Sequence, residues 1–502
     1  MNQRKWGALL SYVNIIATII VGLIYTPIML RLLGQSEYGL YSLVGSIVGY
    51  LSVLDMGLGD TIVRYTAKNR ADGTKKEEAE LNGLFLFVYS IIGILALLIG
   101  FILYANIENL FGKTLSTGEM YRARIMMLLL IFNFALSFPL SIFSSIMNAY
   151  ERFIFLRITN ILRVILNPLL VVPFLFWGFG SVMMVVVSTV LNFACLLANM
   201  FYCLRLLHVR FARGHFDSWF LYEIAGYSFF IFLNAIMDKI YWASGQFVLG
   251  IVSGTLQVAV YAIAMQFMMM FMNFSTAISG VVLPKVTMMV AKHVSNSELT
   301  NMMIRIGRLQ YLVVGYIFIM FVLVGKQFIY LWAGPEYLSA YPMVVLLMAA
   351  LMIPLIQNVG VSILKAMNKN RYRMTAYTIC AFIGLAISFP LARHYGGMGC
   401  AIGTAGSLFI STGWIMNRYY AYEIHLGIAK FWRSMISISI GMVILLAVGL
   451  GLESSFNYAV SWKHFITISV LDTLLYGLIM YFIGLNSYEK GLCLQVVQRF
   501  RR

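Results

Sequence analysis

Long apolar runs separated by short polar breaks make up almost the whole chain. About twenty apolar residues in helical form cross the hydrocarbon layer of a bilayer. Fourteen runs reach that length: 8–30, 37–59, 82–104, 124–147, 158–177, 181–203, 222–251, 257–289, 308–331, 341–365, 374–394, 398–418, 433–451 and 465–485. Several exceed the minimum, which leaves room for tilt or an interfacial start. The pattern therefore predicts an all-α integral membrane protein with about 14 transmembrane helices. The most informative irregularity lies in the seventh run, Phe229 to Gly250, where Asp238 and Lys239 interrupt apolar sequence near its middle. A charge at that depth costs about 2.5–3.5 kcal/mol. Neighbouring helix positions point about 100° apart, so the two side chains do not simply face each other. Each calls for a partner on another helix, a water-filled cavity or a ligand. The segment is read as one wall of a transport pathway, against the alternative of an ion pair that pins helices together.

Composition agrees with the pattern: 61% of the 502 residues are hydrophobic and 11% charged, against about 25% charged in a soluble domain. The first run is too long for a removable leader and lacks a small-residue cleavage site, so it is expected to be retained. Cys195, Cys203, Cys380, Cys400 and Cys493 fall in apolar runs or the tail and suggest no disulfide framework. The net charge of +17 suits basic loops on a cytoplasmic face better than a nucleic-acid surface. With the N-terminus inside, 28 of the 36 lysines and arginines fall on the inner side, helix ends included, and seven on the outer, Lys239 being the remaining one. That bias predicts an even span count and both termini in the cytoplasm. The basic tail Gln498–Arg502 is expected to lie on anionic lipid.

The outer loops are short, the longest running from Ala105 to Tyr121, too short for a catalytic domain. The inner loop Arg64–Leu81 is longer and mixed in charge, and Thr74 to Glu77 fits a capping box opening the third span. His293–Met302 reads as a short surface turn.

The chain also repeats itself. Asn14, Gly34 and Tyr41 match Asn234, Gly254 and Tyr261 at a spacing of 220; Ala149 and Ala366 match at 217, and GFGSV and GMGCA at 219. Near-constant spacing at separate places predicts two six-helix lobes of the same topology, 1–210 and 215–420, related by an axis along the membrane normal. Residues 421–502 hold an extra helix pair and the basic cytoplasmic tail.

The chemistry of an enzyme is missing. FGKT resembles part of a phosphate-binding loop, but Ile107 stands where the earlier glycine belongs. The histidines show no metal spacing, and no catalytic residue, metal or cofactor is expected. Polar residues inside the spans are more telling. Asn14, Asn234, Asp238, Lys239, Gln246 and Gln266 are candidates for a substrate path, with Gln357 and Asn358 in span ten. Ordinary interhelical hydrogen bonding is the competing reading for any one amide. Asp55 and Arg64, around the end of span two, are candidates for an inner gate, or for a structural cap or pair. Met265–Phe274, rich in methionine, offers an adaptable surface, with packing or lipid-facing filler as the plainer reading.

The stretches LRLLGQSEYGLYSLV, LDMGLG and DKIYWASGQFVLG…VAVYAIA resemble the polysaccharide-unit flippases. These transport O-antigen, capsule and teichoic-type units, and share a superfamily with the multidrug and toxin extruders and the lipid II flippase. The resemblance covers about spans one to twelve. It implies two lobes forming a V, alternating access, and an undecaprenyl-pyrophosphate-linked oligosaccharide as cargo. It also implies polymerase and other polysaccharide-assembly proteins as partners, and a bacterial cytoplasmic membrane. Lys239 departs from the neutral residue common at that position, so no ion-coupling scheme is carried over. A cation-coupled multidrug exporter of the same fold is the alternative: a cationic drug wants acidic residues, whereas pyrophosphate wants Lys or Arg, and this span offers one of each.

Overall fold

The computed structural model describes residues 3–214, 218–279, 283–455, 461–491 and 495. The tail Gln498–Arg502 and Cys493 lie outside the described residues. Among those described, regular structure is helical throughout. Twelve helices are long and apolar enough to cross a membrane, and a bent pair, Ala340–Ile356 and Asn358–Ala366 at 43°, makes thirteen. The seventh expected span coincides with helix Ser218–Trp242 and its continuation Ser244–Val252, part of which lies outside the side chains described. The chain is a multi-pass membrane protein.

The helices form two compact units, Met1–Ala262 and Ile263–Arg502. In the first, Ile62, Phe85, Tyr89, Ile142 and Ile146 are buried where helices Leu58–Asp72, Lys75–Ala105 and Thr117–Ala149 meet. In the second, Ile319, Ile438 and Leu445 join helices Asn296–Trp332 and Ile428–Ser455, and the C-terminal helix Trp462–Ile479 packs on the same core.

Local chemistry explains the helix starts. Thr74 accepts from the Glu77 amide at 3.2 Å while the Glu77 carboxylate accepts from the Thr74 amide at 2.9 Å, the reciprocal box expected there. Ser295 caps helix Asn296–Trp332, so the surface turn expected over His293–Met302 is limited to left-handed His293 through Ser295 and the rest is the start of the helix.

Two sequence expectations are corrected. The inner segment beginning at Arg64 is not a loop: Leu58–Asp72 is helical, and only Gly73 and Thr74 connect it to the next span. Leu58, Thr61, Ile62, Tyr65 and Thr66 recur at helical spacing and are buried, so the charges between them sit on a solvent-facing stripe. Span two itself is broken. Helix Gln35–Gly49 gives way to a 3₁₀ turn, Tyr50–Asp55, then to left-handed Met56 (φ 50°) and Gly57 (φ 68°).

The backbone repeats its left-handed turns at the spacing noted in the sequence. Positive φ occurs at Gly34 and Gly254, at Glu151 and Asn368, and at His208 and His425. The first pair is 220 residues apart and the other two 217.

Candidate transport path

The break in span two meets a second break. Helix Ser218–Trp242 stops at Ala243 and resumes as Ser244–Val252. Helix Ser218–Trp242 packs against the 3₁₀ turn Tyr50–Asp55, and Ser244–Val252 packs against helix Gln35–Gly49. Lys239 lies at this junction: a Cβ on Gly49 would stand 3.8 Å from its Nζ. Interrupted helices in a membrane are tolerated where the freed backbone is buried in protein or lines a wet cavity, and repeat-built transporters place sites at such breaks. Phe247, on the resumed helix, packs edge-on to Tyr50 and Phe111 at centroid distances of 6.3 and 5.8 Å.

The expected path residues divide. Lys239 is half-buried beside the broken turn, Asp238 is exposed, and Asn234 and Gln246 are half-buried on the same pair of helices. The break at Ala243 separates Asn234, Asp238 and Lys239 from Gln246, which lies on the second segment, and the ring of Tyr261 packs directly on Gly245. Asn14 lies on helix Gln3–Leu33, which packs along Phe153–Phe176; its backbone carbonyl accepts from Thr18 and its Oδ1 is buried without a partner. Gln266 falls in the second unit.

Asp55 ends the 3₁₀ turn, and its Oδ1 accepts from the Tyr89 hydroxyl at 2.8 Å. Arg64 is exposed on helix Leu58–Asp72, its guanidinium 5.8 Å from the Tyr65 ring centroid. Gln357 and Asn358 occupy the bend of span ten. Gln357 Nε2 donates to Asn417 Oδ1 at 2.7 Å and Asn358 Nδ2 to Ser275 Oγ at 3.4 Å, the interhelical bonding that competed with a path role.

At the opposite end of span two from Asp55, Glu119 gathers three helix starts. Its Oε1 accepts from Ser36 Oγ at 2.5 Å and Thr255 Oγ1 at 2.9 Å, and its Oε2 accepts from the Ser116 amide at 2.9 Å. Gly39 makes this closure possible, because any Cβ there would collide with the Thr255 carbonyl.

Sequence reading missed two arginines by placing them at helix ends. Arg308 is buried in the second unit, bidentate on Glu489 at 2.7 and 2.8 Å. Arg163 lies ten residues into helix Phe153–Phe176, about 15 Å along its axis, and donates to Asn192 Oδ1 at 3.1 Å. Arg157, Asn160, Arg163 and Asn167 recur at three- and four-residue spacing, the signal that would have revealed a polar face.

Among the described residues no group of three or more His, Cys, Asp or Glu could hold a metal. No curated protein matches the chain in sequence. Solved structures share its fold. The lipid II flippase MurJ in an inward closed conformation is 16% identical with a TM-score of 0.73, over 95% of this chain and 98% of that one. An inward-facing multidrug resistance MATE family transporter of the MOP superfamily is 13% identical with a TM-score of 0.66, over 83% and 95%. The Vibrio cholerae MATE transporter VcmN is 14% identical with a TM-score of 0.56, over 85% and 98%. The fold is that of membrane flippases and transporters. A family model described as polysaccharide biosynthesis protein matches residues 4–290, more than half of the 502, and the chain belongs to that family.

Proposed function

We propose that this protein is a flippase. It carries an undecaprenyl-pyrophosphate-linked oligosaccharide repeat unit across the bacterial cytoplasmic membrane by alternating access, for cell-surface polysaccharide synthesis. Family membership over residues 4–290 carries the reading, since a polysaccharide-synthesis protein with a transporter fold must move a precursor of that polysaccharide. The position of Lys239 supports an anionic cargo: its Nζ stands by Gly49 where two broken helices meet. Lysine attracts phosphate as a point charge and needs no fixed geometry. Asn234, Asp238 and Gln246 line the same helices, Asn14 and Gln266 extend the path, and Asp55 with Arg64 gate its inner mouth. Two pseudo-symmetric lobes, 1–210 and 215–420, with 421–502 as an addition, both termini cytoplasmic, and contact with polymerase and assembly proteins complete the proposal. The paired left-handed turns support the repeat.

Asp238 favours the second reading, a cation-coupled drug exporter, because it is exposed beside the same junction. Complementation separates the two. In a strain lacking its own flippase, the chain should restore surface glycan and leave drug resistance unchanged. Resistance without glycan would establish the exporter instead.

A further inference from the structure

Three helices of the first unit turn polar stripes toward one cleft. Helix Thr117–Ala149 contributes Asn133, Ser137, Ser144 and Asn148. Helix Ser181–Phe201 contributes Ser188, Asn192, Cys195 and Asn199. Helix Phe153–Phe176 contributes the arginine stripe described above. All three sets recur at helical spacing over several turns, so they form continuous faces rather than isolated substitutions.

Hydrogen bonds fix the upper part. Asn192 Nδ2 donates to Asn133 Oδ1 at 2.8 Å and to Ser137 Oγ at 2.9 Å, while its Oδ1 accepts from Arg163. Arg163 thus commits one donor to the wall. A guanidinium has five, and Arg163 lines both of two adjoining cavities, of about 320 and 170 Å³. Arg157 lines the second of them. Below, Asn199 donates to Ser144 Oγ at 3.0 Å, and its Oδ1 is buried with no partner.

The decisive feature is charge. Neither cavity has an aspartate or glutamate among its lining residues. Two guanidiniums of one helix, Arg163 ten residues from its start and Arg157 four, therefore line these cavities without a carboxylate beside them. A packing seam would need the amides but not the cations. The larger cavity falls at the small end of ligand sites, and the forked guanidinium matches phosphate oxygens two at a time.

We propose that this cleft binds the phosphate of a hydroxyl-bearing lipid, Arg157 and Arg163 taking phosphate oxygens and Asn160 and Asn199 taking hydroxyls. If the cargo is the lipid-linked glycan of the preceding section, on which that identification rests, the cleft is a second phosphate station distinct from Lys239. A bilayer phosphatidylglycerol presents the same chemistry.

The test uses the purified full chain in phosphatidylcholine nanodiscs, with farnesyl pyrophosphate as probe and calorimetric titration as readout. The unaltered protein should bind saturably. Arg157→Gln/Arg163→Gln should weaken binding on the order of tenfold or more, as expected for lost charge-assisted bonds, with its melting temperature retained. The corresponding double Lys variant, which keeps the charge, should bind with intermediate strength and guards against misfolding of the first. Lys326→Gln, which removes an exposed cation of the second unit, should bind as the unaltered protein does. Nanodiscs containing phosphatidylglycerol distinguish the occupants: competition with the probe assigns the cleft to bilayer lipid, and undiminished binding assigns it to the pyrophosphate carrier. Unchanged binding by the folded double Gln variant, an equal loss of binding in Lys326→Gln, or no saturable binding at all would overturn the proposal. Failure of glycan complementation with the binding pattern intact would overturn the preceding reading and leave the cleft standing.

Discussion

Arg308 and Glu489 offer the sharpest test of how the second unit is held together. The pair is buried, with side chains 5% and 4% exposed. Arg308 Nε and Nη2 grip both Glu489 oxygens, Nη2 also donates to the Gly484 carbonyl at 2.7 Å, and Nη1 reaches Ser437 Oγ at 3.2 Å and the Ser434 carbonyl. Glu489 in turn accepts from the Asn486 amide at 2.9 Å. One guanidinium therefore ties helix Asn296–Trp332 to helix Ile428–Ser455 and to the turn after the last span. Removing one partner of a buried pair costs about 3–5 kcal/mol, because the other charge is left uncompensated. Arg308→Met should thus lower stability by about that amount. With about 2–4 °C per kcal/mol for a unit of this size, the melting temperature in mild detergent should fall on the order of 10 °C. Glu489→Gln should lower it by a comparable amount, since the buried Arg308 guanidinium then keeps its charge without a counter-ion. The double variant Arg308→Met/Glu489→Gln should recover much of the loss, because no charge then remains buried. A melting temperature within about 1 °C of the parent for Arg308→Met, or a double variant no more stable than the single, would refute the reasoning.

Two further outcomes follow from the topology and the Glu119 closure. Cysteines placed at Asn2 and at Gln498 should both resist a membrane-impermeant thiol reagent in intact cells and react after permeabilisation; labelling from outside would reverse the assigned orientation. Ser36 Oγ and Thr255 Oγ1 stand 3.3 Å apart, so Ser36→Cys/Thr255→Cys should cross-link on oxidation and halt transport until reduced, and normal transport in the cross-linked protein would show that this contact never opens.

The span pattern was readable because membrane helices leave a strong signal: about twenty consecutive apolar residues suit a bilayer span and little else. Fourteen runs anticipated the twelve or thirteen qualifying helices and the interrupted seventh. The capping box at Thr74 was readable because it is local. The helix Leu58–Asp72 was not, since its charged outer stripe masks its apolar one until the two are separated by period. The breaks at Tyr50–Asp55 and Ala243 carry no proline and leave the apolar run unbroken, so hydropathy passes over them; only Gly57, left-handed after the first, is a local mark. Lys239 stood out because one cation in a long apolar run is conspicuous. Arg163 and Arg308 did not, because each lies near a run's edge and passes for a loop charge under the positive-inside rule. Their partners, Asn192 and Glu489, are 29 and 181 residues away.

Transport itself gives the most direct test of the account. The purified chain is reconstituted into liposomes with a polyprenyl-pyrophosphate-linked oligosaccharide, and the fraction accessible to an external glycosidase is followed in time. The unaltered protein should bring the inner pool to the enzyme. Lys239→Arg should retain much of that rate, and Lys239→Met, at equal protein level, should fall to that of protein-free liposomes. Equal rates with and without the protein would contradict the flippase, and full transport by Lys239→Met would contradict the place given to Lys239 in the path.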